Sequence, residues 1–397
     1  MFRKLVSRNS DLALLVERGF AVAFDSNCLI VRDIPYINAA GHLQTGAIVA
    51  KLVFVDETRI EQDDHQIYFA GGPPYQLDGA PISNLGGGET TIQLTERCSD
   101  VVVQRSFSNK PMPAGKFDDF AEKIESYVSI ISGPAIERFD VSPHTFRSVD
   151  AMDNDPIFKF QDTMTSRAQI GDLNAGFAGE SVAVIGLGGT GAYLLDLLVR
   201  TPIPEILAFD SDFYHVHTAF RSPGRLDRAE LGARKAEVYA GRYENFRHGL
   251  KVQTAHIDRE TVHLLDGVTF AFVCVDKGSS RSGIFDVLID QGIPFIDVGM
   301  GLNRRHGPLD GMMRATLFGV DDAREMRDRG LAETNDTPDG LYRANIQIGE
   351  LNSLNACLAV IRYKQIRGFY RDTEGFKHLL FGICDMHAVG ESYIDED

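Results

Sequence analysis

The sequence predicts two domains: a smaller mixed α+β domain, followed by an α/β domain built on a mostly parallel sheet with crossover helices. Three observations predict this. The chain has 397 residues, 44% of them hydrophobic, which is more than one core usually organises. From Ser181 onward, apolar strand-like runs alternate with helical stretches, the pattern of strand–helix–strand units. The first of those strands, Val182-Ala183-Val184-Ile185, runs straight into a glycine-rich loop that opens a helix. The first domain is expected over residues 1–150 and the second over 151–397.

In the first domain, Ala21-Val22-Ala23-Phe24, Leu29-Ile30-Val31 and Ala47 to Val55 read as strands from their apolar and β-branched content. Gln66 to Ala70 adds another, running into the turn Gly71-Gly72-Pro73-Pro74. Apolar Phe117, Phe120, Ile124, Val128 and Ile131 recur at steps of three and four, which predicts a helix from Phe117 to about Ile131. Residues 142–166, rich in Asp, Pro, Ser and Thr, read as a linker. In the second domain the expected strands are Ser181 to Ile185, Ile206 to Phe209, Val252 to Ile257, Thr269 to Val275 and Pro294 to Val298. Helices are expected over Gly191 to Arg200, Ala229 to Phe246, Ser280 to Gln291 and Ile348 to Ile366.

Charge narrows the function. A formal net charge of -16 repels nucleic acid and anionic lipid at long range, so neither is an expected partner and any bound phosphate needs a local positive pocket. The five cysteines Cys28, Cys98, Cys274, Cys357 and Cys384 are scattered, with no C-x-x-C pair for zinc or redox work. That suits a reducing cytosol. The opening run Leu12 to Val16 is cut off by Glu17 and Arg18, too short for a signal peptide, and no stretch reaches membrane-spanning length. A soluble, cytoplasmic protein is expected, with the acidic end from Glu391 to Asp397 a solvated tail.

The loop Gly186-Leu187-Gly188-Gly189-Thr190-Gly191 lies between strand and helix, where backbone N–H groups and a helix N-terminus can meet a phosphate. Gly186, Gly188, Gly189 and Gly191 are therefore candidate nucleotide-binding residues in a Rossmann-like domain. Asp210, about twenty residues on at the end of the next strand, can hydrogen-bond ribose hydroxyls. To this point an NAD-dependent oxidoreductase fits equally well. Three further features favour ATP: Asp210-Ser211-Asp212 followed by Arg221; Gly232-Ala233-Arg234-Lys235-Ala236 opening a helix; and Asp276 with Arg281 after the strand Phe270 to Val275. A triphosphate needs Arg and Lys for its oxygens and a carboxylate for Mg²⁺.

As an ordered set over roughly residues 165–365, these parts resemble the ThiF, MoeB and E1 adenylation family, including its ubiquitin-activating members. The resemblance implies ATP- and Mg²⁺-dependent adenylation of a carboxylate, the C-terminal glycine of a ubiquitin-like protein or another carboxylate substrate. It gives Asp210 the ribose, with Asp212 in support, Arg221 and Lys235 the triphosphate, and Asp276 the Mg²⁺. It also places Arg167, within Ser166-Arg167-Ala168-Gln169-Ile170, where the family has an arginine that reaches the partner subunit's site in a homodimer; a surface arginine at a domain boundary is the other reading. The first domain is similar to accessory domains ahead of some bacterial ThiF-like domains, with Asp64 to Pro74 its most distinctive stretch.

Several positions depart from the pattern. Thr218 stands for the family's Asn before the arginine and Lys277 for the Asn after the magnesium carboxylate. The crossover segment from Gly301 to Gly340 holds no cysteine, so it offers no thioester nucleophile. Cys274 and Cys357 read as core residues, and His215 and His217 as loop histidines near phosphate or in water. The departures keep open a non-catalytic ATP-gated binding protein.

Overall fold

A computed structural model describes every residue except 1, 57–58, 96–97, 114, 150–156, 161, 169, 305–306, 337–345 and 393–397, and only the backbone of 2–4, 84, 163, 166 and 167. The linker's middle, the far side of the crossover and the acidic tail from residue 393 thus lie outside the described residues. The chain forms two compact units, Met1–Asp172 and Leu173–Asp397.

The first unit is built on an antiparallel sheet. Its strands are β1 (Ala21–Asp25), β2 (Cys28–Ile37), β3 (Leu43–Phe54), β4 (Ile60–Gln62), β5 (Ile67–Ala70), β6 (Gly88–Glu89) and β7 (Arg105–Phe107). They run in the order β1-β2-β3-β5-β7-β6, with β4 paired to β3. Two helices that the periodicity did not predict precede them, α1 (Phe2–Arg8) and α2 (Ser10–Glu17). The apolar run too short for a signal peptide is α2, which buries Leu12, Leu15 and Val16 in the core.

The predicted helix is α3 (Phe120–Phe139), started by Asp119, whose side chain accepts from the Glu122 N–H at 2.8 Å. It continues past Ile131 and ends at Asp140, which takes the left-handed conformation (φ 52°). Buried Lys123 and Tyr127, one turn apart on α3, hold the Asp64–Pro74 stretch: Lys123 Nζ donates to the Asp64 carbonyl (2.6 Å) and the Tyr127 hydroxyl to the His65 carbonyl (2.9 Å). A short helix, α4 (Thr163–Ala168), overlaps the end of the expected linker.

The second unit carries β8 (Ser181–Ile185), α5 (Gly189–Leu198), β9 (Glu205–Phe209), α6 (Val216–Ala219), α7 (Lys235–Tyr243), β10 (Leu250–Gln253), β11 (Phe270–Val273), α8 (Gly278–Asp290), β12 (Phe295–Asn303), β13 (Asp310–Phe318), α9 (Ala323–Asp328), α10 (Gly349–Ile366), β14 (His378–Gly382) and β15 (His387–Glu391). The sheet order is β10-β9-β8-β11-β12-β13-β14-β15, parallel from β10 to β12 and antiparallel beyond. Strand residues alternate between its faces. Val182, Val184, Ile206 and Ala208 pack with α5, α7 and α10, while Ala183, Ile185, Leu207 and Phe209 pack with α8 and α9. A parallel sheet covered on both faces is the arrangement the alternating sequence predicts.

Three local readings differ. The expected helix from Ala229 is divided: a 3₁₀ turn at Arg228–Glu230 precedes Gly232, whose φ of +87° breaks the helix, and α7 starts at Lys235. The strand expected over Val252 to Ile257 is β10, Leu250–Gln253. The first part of the crossover extends the sheet, because β12 runs on to Asn303 and pairs with β13.

Candidate functional site

After β8 the chain visits β9 on one side and returns to β11 on the other, so the connections leave β8 in opposite directions above its C-terminal end. In open α/β sheets that switch point forms the ligand crevice. The glycine loop follows β8 there. Gly186 has φ +95°, and a Cβ on it would stand 2.9 Å from the Cys274 carbonyl oxygen at the end of β11. A Cβ on Gly191 would stand 1.9 Å from the Gly186 carbonyl oxygen, and one on Gly189 2.1 Å from the Asn352 amide nitrogen of α10. These three positions need glycine because protein fills the space. Gly188, the N-cap of α5, differs: a Cβ there would meet nothing within 4 Å, leaving room for a group approaching the backbone.

Asp210 ties the loop to Lys235 through its carboxylate. Asp210 is buried just past β9; its Oδ2 accepts from the Leu187 N–H (2.6 Å) and from Lys235 Nζ (3.3 Å), and its Oδ1 from the Asp212 N–H (2.8 Å). Lys235 Nζ also donates to Asp212 Oδ2 at 2.9 Å. The second strand, the glycine loop and the start of α7 thus share one charged cluster. Burial opposes charge on Asp212, but the Lys235 hydrogen bond and the neighbouring Lys235, Lys277 and His215 outweigh it and hold its carboxyl below the usual range.

Arg221 follows α6 by two residues. Its Nε is buried and has no hydrogen-bond partner among the described residues, an expensive state for a guanidinium unless an anion completes it. Its backbone is tied to the loop: Asn352 Nδ2 donates to the Arg221 carbonyl (3.3 Å), while Asn352 Oδ1 accepts from the Thr190 hydroxyl of α5 (3.0 Å). Burial, then neighbouring Arg221, His215 and Lys235, lower the His217 pKa.

Asp276 follows β11, beside the stretch of Cys274 and Val275 that packs on Gly186. It is exposed and makes no hydrogen bond or ion pair among the described residues. Arg281, grouped with it by sequence order, turns away: buried in α8, it donates to the Val275 carbonyl (2.5 Å) and the Glu333 carbonyl (2.8 Å) and lies 2.9 Å from Asp297 Oδ1. It fixes the strand end that presents Asp276. No group of three or more His, Cys, Asp or Glu fit for a metal occurs among the described residues.

The structure brings together Gly186, Gly188, Gly189, Gly191, Asp210, Asp212 and Lys235, and ties Arg221 to them through Asn352. Arg167 belongs to the first unit, in α4, and its side chain lies outside the described residues. The Thr218 hydroxyl accepts from the His215 N–H (3.3 Å), so it caps α6. Cys28 and Cys98 are buried, and burial raises both thiols; burial likewise pushes up Cys274. Exposed Cys384 donates to Asp310 (2.7 Å), which raises its pKa. In each case the neutral thiol is favoured. The sequence marks Asn345 to Asn352 as unusually polar for a helix opening but gives Asn352 no role of its own.

Residues 10–163 match a domain of unknown function, DUF6791. Residues 176–316 match the model of the ThiF family. No curated protein matches the chain. Among solved structures, PaaA is similar at 15% identity and TM-score 0.42, over 58% of this chain and 80% of that one. E. coli MccB with ATP is similar at 14% and 0.42, over 55% and 65%. E. coli tRNA N6-threonylcarbamoyladenosine dehydratase TcdA with AMP is similar at 19% and 0.40, over 52% and 93%. No helix among the described residues is long and apolar enough to cross a membrane.

Proposed function

We propose, on the premise that the second unit carries a ThiF-family domain, that this chain adenylates a carboxylate with ATP. The observation that carries the reading is the pairing of Gly188, open where a Cβ would stand, with Arg221, whose buried Nε has no partner among the described residues. A phosphate on the loop's N–H groups would complete the arginine. Asp210 would take the ribose; its carboxylate, already accepting three hydrogen bonds, keeps lone-pair capacity for a hydroxyl. Asp212 steers Lys235, which reaches the triphosphate by sharing its ammonium between carboxylates and phosphate.

In the reaction, a substrate carboxylate oxygen attacks the α-phosphorus, the bond to the bridging oxygen breaks, and pyrophosphate leaves with the electron pair. Arg221 and Lys235 hold the charge of the departing group. Mg²⁺ held at Asp276 would supply further neutralisation of the phosphate oxygens. No protein nucleophile is needed, which agrees with Cys28, Cys98, Cys274 and Cys384, whose neutral thiols are favoured. The substrate we favour is the C-terminal glycine of a ubiquitin-like protein. The active unit in this reading is a cytoplasmic homodimer in which Arg167 of one subunit completes the site of the other.

The test is ATP–pyrophosphate exchange. The full chain with Mg²⁺ and a protein or peptide ending in Gly-Gly should exchange label between pyrophosphate and ATP, and Arg221→Ala should lose the exchange while staying folded. Nicotinamide cofactor binding without ATP binding would overturn the reading.

A further inference from the structure

Asn352 is 1% exposed, and it joins three segments far apart in sequence. Its Oδ1 accepts from Thr190 on the first turn of α5, and its Nδ2 donates to the carbonyl of Arg221. Its amide also fills the space a Cβ on Gly189 would take. The glycine loop can lie this close to α10 only because residue 189 has no side chain, and the amide that occupies the gap grips both phosphate-facing elements. An apolar residue of similar size would pack there but leave the Thr190 hydroxyl and the Arg221 carbonyl without these bonds.

We propose that Asn352 is a positioning residue for nucleotide binding: it sets the distance between the glycine loop and Arg221, so that one phosphate can meet both. This rests on the adenylation reading. Asn352 does not touch the nucleotide; it acts through the Arg221 backbone and the first turn of α5. The amide is suited to the task because one planar group offers an acceptor to one side and a donor to the other. A carboxylate offers two acceptors and cannot serve the Arg221 carbonyl unless protonated.

The substitutions that test it keep the volume. Asn352→Asp retains the acceptor for Thr190 and removes the donor to Arg221; Thr190→Val removes the other bond. Tyr363→Phe, on the same helix, removes a hydroxyl bonded to Glu180 at 3.1 Å and leaves the loop untouched. ATP affinity in the presence of Mg²⁺ is measured on the purified full chain, beside the melting temperature. Asn352→Asp should raise the ATP Kd about tenfold or more, the cost of one buried hydrogen bond. Thr190→Val should raise it several-fold, and Tyr363→Phe should leave it within about twofold at a comparable loss of melting temperature. Equal Kd changes in all three would reduce Asn352 to a structural residue, as would wild-type affinity in folded Asn352→Asp. Should Asn352→Asp not fold, Thr190→Val against Tyr363→Phe decides by the same comparison. A wild-type chain that binds no ATP defeats the adenylation reading and this inference with it, whereas binding by wild type and Asn352→Asp alike defeats the inference only.

Discussion

The second unit carries two clusters of carboxylates and cations, one within β12 and β13 and one just past β9, and they differ in what they leave unfinished. Around Asp297, which is 0% exposed, Arg281 and Arg314 close in from α8 and β13; Arg314 reaches Asp297 Oδ2 at 2.5 Å and the Thr316 hydroxyl at 2.9 Å. The Arg281 Nε lies 2.9 Å from Asp297 Oδ1 without the alignment of a hydrogen bond, so charge holds that side. The remaining arms of Arg281 end on backbone carbonyls. Around Lys235 the balance reverses: two carboxylates share one ammonium, and the Asp212 side chain is 73% exposed. Arg221, with its unpartnered Nε, is tied to the same glycine loop through Asn352. A closed cluster fastens the sheet; an open one beside an unsatisfied cation is equipped to take a ligand.

The largest expected effect is on the closed cluster. Asp297→Ala strands two arginines, Arg281 and Arg314, and should cost about 3–5 kcal/mol, as breaking a buried ion pair does. Denaturant unfolding of the second unit measures it, and a loss under about 1 kcal/mol would dissolve the distinction. Asp276→Asn should do the opposite. An exposed carboxylate with no described partner can be neutralised without strain, so the melting temperature should hold while magnesium-dependent turnover falls about a hundredfold. Unchanged turnover in the folded variant would remove the proposed metal role.

Arg221 and Lys235 sharpen the comparison from within the site. Both substitutions to Ala should weaken ATP use about tenfold or more, the arginine more severely because its fork can hold two phosphate oxygens. They should part in stability. Lys235→Ala leaves buried Asp210 without its cation and should lower the melting temperature, whereas Arg221→Ala removes a guanidinium whose Nε is already unsatisfied. Equal losses of stability would show that the two cations are held alike.

Much of this was legible in the sequence, for reasons tied to particular residues. Apolar runs such as Val182 to Ile185, alternating with helical stretches, predicted the parallel strands, because burial on both faces leaves near-continuous apolar runs. Gly186 to Gly191, Asp210 and Lys235 were found because the loop, strand end and helix start follow in a fixed order. Arg281 was placed in that order too, but order does not say where a side chain turns, and it turns to Asp297. Asn352 stands 162 residues from Thr190, a partnership that no local pattern encodes. Nor did β13 read as a strand: Arg314 interrupts its apolar run, and what makes an arginine acceptable there is Asp297 on the neighbouring strand.

The smallest effect lies in acid, and it tests the open cluster directly. The Asp212 carboxyl is held below its ordinary value, burial opposing and the Lys235 hydrogen bond with nearby positive charge prevailing. A carboxyl depressed in the folded state binds fewer protons there than in the unfolded chain, so its stabilisation is complete above the unfolded pKa of 3.8 and fades as pH falls through the lower folded value. Because the side chain is 73% exposed, solvent screens the pair and the contribution should stay well under about 1 kcal/mol. Melting temperatures of wild type and Asp212→Asn, followed from pH 5 down to about pH 2.5, should therefore differ slightly at the upper end and converge at the lower. A gap that widens as the solution becomes more acidic would carry the opposite sign, and would mean that Lys235 relies on Asp210 while Asp212 is free to turn to the ligand.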